Sequence, residues 1–273
     1  MDIIQIDIPV TSQQQSEVII AELSEIKFHG FQEADNMLSA FIEEGFFTEC
    51  TLQCALSRFN LNYTIKLITE SNWNEQWEKE FSPVIVDSFV AVRAEFHSPI
   101  KNVEHEIIIT PKMSFGTGHH ATTYLMVKQM RRIDFRNKRV LDFGTGTGLL
   151  AILAAKLGAH SITAIDNDDW SIANARENFY LNNCNNILLQ KNNSIAGSGA
   201  FDIILANINL NTIVANAPNL KESSHPGTQL LLSGFLLSDE KELNETFLRN
   251  SFINKLTERL DGWLSIHFFR QNV

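Results

Sequence analysis

Cysteine is scarce in this sequence. There are three among 273 residues, Cys50, Cys54 and Cys184. So odd and sparse a set excludes a disulfide framework and fits a reducing compartment. Cys50 and Cys54 stand one helical turn apart, but no further ligands follow at metal-site spacing, so they read as ordinary reduced thiols and no metal is expected. Positive charge is also short. Lys and Arg number 22 against 32 Asp and Glu, a formal net charge of -10, which argues against direct nucleic-acid binding because phosphate contacts rest on Lys and Arg. The same charge suits a basic protein partner, although solubility alone would account for it. No apolar run approaches the roughly 20 residues that cross a bilayer. The opening "MDIIQIDIPV" lacks the basic start and apolar block of a secretion signal. A soluble, cytoplasmic monomer without membrane attachment is expected.

What is present is enough to fold. Hydrophobic residues at 44% and charged residues at 20% support a sizeable core in one or two domains. The first part alternates "DIIQIDIP" (strand), "EVIIAELSEI" (helix, with Ser12 or Ser16 as cap), two strands about Asp35-Asn36, helix "TLQCALSRF" and strand "NYTIKLI". That β-α-β-β-α-β order is the split βαβ, ferredoxin-like pattern. It holds no phosphate loop and no cluster of acids, bases or ligands. "ESNWNEQWEKEFSP" places Trp73, Trp77 and Phe81 at helical spacing before Pro83, which reads as a connecting helix. From "IVDSFVAVRAEF" and "HEIIIT" onward, apolar strands alternate with helices. This is the pattern of a mostly parallel sheet covered on both faces, closed by an antiparallel pair around the Asp261-Gly262 turn. The boundaries so drawn are 1–69 for the small domain, 70–83 for the connecting helix and 84–273 for the α/β domain.

The four letters FGTG occur twice, from Phe115 in "MSFGTGHHATT" and from Phe143 in "VLDFGTGTGLL". Their surroundings differ too much for an internal repeat. In the downstream copy a buried strand runs into Gly144, Gly146 and Gly148 and then into a helix. Glycines there let a ligand approach the backbone closely, beside a helix N-terminus. The spacing G-x-G-x-G departs from the dinucleotide G-x-G-x-x-G, whose third glycine would fall on Leu149. Asp166 ends the next strand, where a carboxylate accepts both ribose hydroxyls of NAD or of S-adenosylmethionine. Asp142, just before the glycines, favours the second, because it can receive a methionine amino group and would repel a diphosphate. In the upstream copy, Thr122 and Thr123 open a helix whose hydroxyls and free N–H groups suit a carboxylate, with simple capping as the alternative for Thr123. Phe115 could attract a sulfonium through its ring or simply pack in the core. His119 and His120 carry no carboxylate ligands beside them, and a base or substrate-contact role stays open for both.

"MSFGTGHHATT", "VLDFGTGTGLLAILAAKLGA", "AIDNDDWSIANARENFYLN" and "DIILANI", with "NWNEQWEKEFSP" and "DGWLSIHFF", together resemble the ribosomal protein L11 methyltransferase family in order and spacing over essentially the whole chain. The resemblance implies a seven-stranded Rossmann-like α/β sheet with a small N-terminal ferredoxin-like α+β domain. It implies S-adenosylmethionine as cofactor and large-subunit ribosomal protein L11 as partner, methylated on lysine and N-terminal amines. The N-terminal domain would recognise that substrate, and the linker would let the domains reorient. Family cofactor contacts carry over to Thr123, Gly144, Asp166 and Asn207, which join Asp142 and Gly146 as the candidate site. The sequence departs from common members, which have Thr and Pro, at His119 and Ala121. After Ala206 it reads "NIN", unlike the Asn-Pro-Pro-aromatic pattern of enzymes that methylate planar nitrogens. Alternatives within this reading are a methyltransferase of another protein or a small amine, and a non-catalytic S-adenosylmethionine-binding module. A nicotinamide oxidoreductase ranks below them.

Overall fold

The computed structural model describes every residue except 1, 2, 35, 60, 69–80, 113–115, 196, 198 and 273. It divides into two compact units, residues 1–80 and 81–273. The first contains β1 (Ile3–Pro9), α1 (Gln13–Glu25), β2 (Gly30–Ala34), β3 (Met37–Glu43), α2 (Glu49–Leu56) and β4 (Thr64–Ile68). Its strands lie in the order β2-β3-β1-β4, each pair antiparallel, which is the ferredoxin-like arrangement. Alternation decides the faces: Ile4, Ile6 and Ile8 of β1 point with Leu38, Ala40 and Ile42 of β3 into one core, completed by Ile19 and Leu23 of α1 and Leu52 and Leu56 of α2. Of the two serines able to cap α1, Ser12 does so, its hydroxyl accepting from the Gln15 amide at 3.2 Å. Ser16 is instead buried, and its hydroxyl donates to Glu33. The connecting helix falls almost wholly on residues 69–80, outside those described, and Phe81, Ser82 and Pro83 are not helical.

The second unit opens with a small sheet of β5 (Val84–Val86), β6 (Val90–Arg93) and β7 (His105–Ile108). The sequence suggested one strand where β5 and β6 stand. The chain reverses between them at Asp87, whose φ is 51°. There follow α3 (Ala121–Met130), β8 (Arg139–Phe143), α4 (Leu149–Lys156), β9 (Ser161–Asp166), α5 (Asp169–Leu181), β10 (Ile187–Lys191), β11 (Phe201–Asn207), α6 (Leu210–Glu222), β12 (Ser224–Leu236), α7 (Glu240–Arg249), β13 (Phe252–Leu260) and β14 (Trp263–Arg270).

The last seven strands form one sheet in the order β10-β9-β8-β11-β12-β14-β13. The run from β10 to β12 is parallel, and β14 is antiparallel to both of its neighbours. Successive residues serve opposite faces. Val140, Ile203, Leu205 and Leu231 join a core under α3, α4 and α5, while Leu141, Ile204, Ala206, Leu230 and Leu232 join a second under α6 and α7. Asp261 and Gly262 both have positive φ, 48° and 80°, and close β13 onto β14 as a two-residue hairpin. Strand order reverses between β8 and β11, and an open α/β sheet leaves its crevice at the carboxyl ends of such strands.

Candidate active site

A cavity of about 440 Å³ lies at those carboxyl ends. Its base is the turn after β8. Gly144, Gly146 and Gly148 have φ of 76°, 55° and 83°, a region costly for residues with a Cβ. A Cβ on Gly144 would collide with Ile208, and one on Gly148 with Phe179. The turn's amides already have protein acceptors. Gly144 and Thr145 donate to the Ile165 carbonyl at 2.8 and 2.9 Å, Gly148 to Thr145 at 2.8 Å and Gly146 to Asp166 Oδ2 at 2.9 Å. These four bonds set the shape of the turn before any ligand arrives.

The six residues expected at the site fall into two layers. Gly144, Gly146, Asp166 and Asn207 line the cavity. Asp166 accepts from Gly146 on one oxygen and from the Asp168 amide at 3.1 Å on the other, and each oxygen keeps a lone pair for a ribose hydroxyl. Asn207, at the end of β11, donates through Nδ2 to the Thr123 hydroxyl at 3.3 Å. Its Oδ1 is buried without a partner, a costly state that a donor from a ligand would relieve. Thr123 and Asp142 are fully buried and are not among the lining residues. Thr123 thus fixes Asn207. The first-turn amides expected to be free are engaged: Thr123 N–H bonds the His120 carbonyl at 3.0 Å, and Thr122 N–H the His120 ring at 3.3 Å. Asp142 Oδ2 accepts from the Thr145 hydroxyl at 2.6 Å. Burial, reinforced by the charge of Asp166 and opposed by Thr145 and the Ala151 amide, pushes its carboxyl up to about 7.

The two histidines part company. His120 caps α3 and lines the cavity, its ring edge-on to Trp263 at 4.7 Å. His119 faces away, its Nε2 2.8 Å from the Ser82 carbonyl. Ala121 takes the first helical position, where proline is favoured but not required. Trp263, Asn192, Asn193 and Thr212 also line the cavity; nothing in the sequence singled them out by role. "DGWLSIHFF" marked Trp263 only as part of a similar stretch. Phe115 lies outside the described residues. Among the described residues no Lys or Arg lines the cavity, and no three of His, Cys, Asp and Glu gather as a metal site.

A parallel sheet with one inserted antiparallel strand, and a cavity at its carboxyl ends lined by a glycine turn, a carboxylate and a carboxamide, fit the Rossmann-like methyltransferases that use S-adenosylmethionine. The comparisons agree. The family model for ribosomal protein L11 methyltransferase matches residues 6–271, and the chain belongs to that family. A ribosomal protein L11 methyltransferase of Porphyromonas gingivalis is 38% identical over 267 residues, covering 95% of this chain and 92% of its own. One of Phocaeicola vulgatus is 39% identical over 232 residues, 82% and 83% of the two chains. The crystal structure of a ribosomal protein L11 methylase from Lactobacillus delbrueckii subsp. bulgaricus superposes with a TM-score of 0.66 at 30% identity, over 70% of this chain and 100% of that one.

Proposed function

We propose that this enzyme methylates amine nitrogens of ribosomal protein L11, on lysine side chains and the N-terminal α-amine. The observation that carries the reading is the unpaired Asn207 Oδ1 in a cavity shared with Asp166 and the glycine turn. The residues present fit the cofactor. Asp166 offers lone pairs to a ribose. Gly144 and Gly146 bring the backbone of the turn to the cavity wall. A lining without Lys or Arg among the described residues suits a cationic sulfonium better than a diphosphate. Thr123 and Asp142 support this set from behind, Thr123 by holding Asn207 and Asp142 by holding Thr145.

When bound, S-adenosylmethionine supplies a methyl group already activated on sulfur. The chain's own task is alignment, which accounts for much of the acceleration in such a transfer. The acceptor amine must be neutral, against a lysine reference pKa of about 10.4, and removal from water beside Ile208 and Trp263, which line the cavity, would favour the uncharged form. Asn207 Oδ1 accepts one N–H of that amine and so fixes the direction of its lone pair.

Residues 1–69 are assigned to substrate recognition, 70–83 to a linker and 84–273 to the chemistry. The net charge of -10 supports a basic protein substrate and argues against direct nucleic-acid binding, and the sparse cysteines fit the cytoplasm. Among the described residues no helix is long and apolar enough to cross a membrane. Incubation with methyl-labelled cofactor and purified L11, followed by peptide mass spectrometry, tests the assignment. Label on lysine and N-terminal amines is expected. Label on another protein or a small amine, with L11 unmodified, would overturn it.

A further inference from the structure

His119 is exposed and points out of the cavity, yet it is among the most connected side chains near the start of the second unit. The Ser82 carbonyl only accepts, so His119 Nε2, 2.8 Å away, carries the proton. Nδ1 is then the acceptor for the Thr117 hydroxyl at 3.2 Å. The ring also stands edge-on to Phe81 at 4.7 Å. Phe81 in turn lies parallel to His97 at 6.1 Å and edge-on to Phe96 at 6.5 Å. One imidazole thus ties the first residues of the unit to the upstream glycine turn.

From that turn the connection continues inward. The Thr147 hydroxyl donates to the Gly116 carbonyl at 2.7 Å, fastening the upstream FGTG turn to the downstream one. Asn178 holds the Thr147 carbonyl at 2.8 Å. One residue before Thr147, the Gly146 amide holds the ribose-facing carboxylate of Asp166. The bonded path therefore runs from Ser82 through His119, Thr117, Gly116 and Thr147 to Gly146 and Asp166.

We propose that His119 is a positioning residue that couples the chain entering at Phe81 to the nucleoside end of the cavity, so that displacement of that chain changes the grip on the cofactor. This regulation rests on the reading of the cavity as an S-adenosylmethionine site. The coupled parts are hydrogen bonds in series, so cutting the path once removes what a second cut would remove.

The test is a double-mutant cycle in the full chain, read as the dissociation constant of S-adenosylhomocysteine by calorimetry. His119→Ala and Thr147→Val are each expected to weaken binding about 3- to 10-fold. The double variant should be no weaker than the worse single one, and His119→Gln, whose amide can still donate to Ser82, should restore most of the affinity. A His119→Ala variant that binds like the parent, or losses that multiply in the double variant, would overturn the coupling. Failure of the parent protein to bind S-adenosylhomocysteine would instead remove the cofactor assignment itself. Unchanged thermal unfolding of His119→Ala separates positioning from general destabilisation.

Discussion

The upstream and downstream FGTG turns have the same letters and different constraints. In the downstream turn three glycines take positive φ, the Cβ positions of Gly144 and Gly148 are filled by Ile208 and Phe179, and the amides of Gly144 and Thr145 are bonded to the neighbouring strand. In the upstream turn Gly116 and Gly118 also take positive φ, 104° and 97°. A Cβ on Gly116 would meet only the Thr147 hydroxyl, at 2.9 Å, and one on Gly118 would make ordinary contact with Val84 and Val92 at 3.5 Å. The downstream turn is part of the sheet and helps hold it together. Among the described residues, the Thr147 hydroxyl ties the upstream turn to it. Identical tetrapeptides thus acquire different roles from what packs behind them.

Substitutions should rank accordingly. Gly144→Ala has the largest expected effect, about 2–4 kcal/mol of stability, from a disfavoured φ and overpacking against Ile208. Thermal unfolding of the second unit measures it, and a shift no larger than that of Gly116→Ala would erase the contrast between the turns. Asp166→Ala should weaken cofactor binding by about 1–3 kcal/mol through stranded hydrogen-bond donors. An unchanged dissociation constant would refute the ribose assignment. Gly116→Ala also carries the penalty of a positive φ, but its Cβ would press only on the Thr147 side chain and not on Ile208, so its effect on stability should be smaller than that of Gly144→Ala and should show mainly as weaker cofactor binding.

Asp142 sharpens the comparison through pH. Its folded pKa, about 7, lies above the ordinary value of 3.8 because the carboxyl is buried beneath the downstream turn. An acid with a raised folded pKa costs no stability below its unfolded pKa. Stability then falls as pH rises, because the unfolded chain ionises while the folded one stays protonated, until the folded pKa is passed. Urea unfolding of the second unit should show Asp142→Asn gaining on the parent between about pH 4 and 7 and running parallel above that. Parallel curves throughout would contradict the burial argument.

Much of this was legible in the sequence where the signal is local. Strand alternation, the Asp261-Gly262 hairpin and the glycines after β8 each depend on neighbours a few residues away, and each is found as expected. Asp166 and Asn207 were legible because they end apolar strands. Trp263, Asn192 and Thr212 were not, since single residues on separate strand ends meet only once the sheet orders them. The division of β5 from β6 was missed because Asp87 adopts a positive φ without glycine. Helix α6 runs through Pro218 to Glu222, although proline withholds an amide there. His119 and His120 show the limit of reading neighbours together: adjacent in sequence, one faces the cavity and the other the Ser82 carbonyl.

The central proposal is that the cavity above the downstream turn holds one adenosyl ligand whose sulfur faces Asn207. A crystal structure with S-adenosylhomocysteine tests it most directly. The account predicts the ribose on Asp166, the glycine turn beneath the ligand and the sulfur turned toward the Asn207 carboxamide. A ligand bound elsewhere, or one whose sulfur lies remote from Asn207, would contradict it.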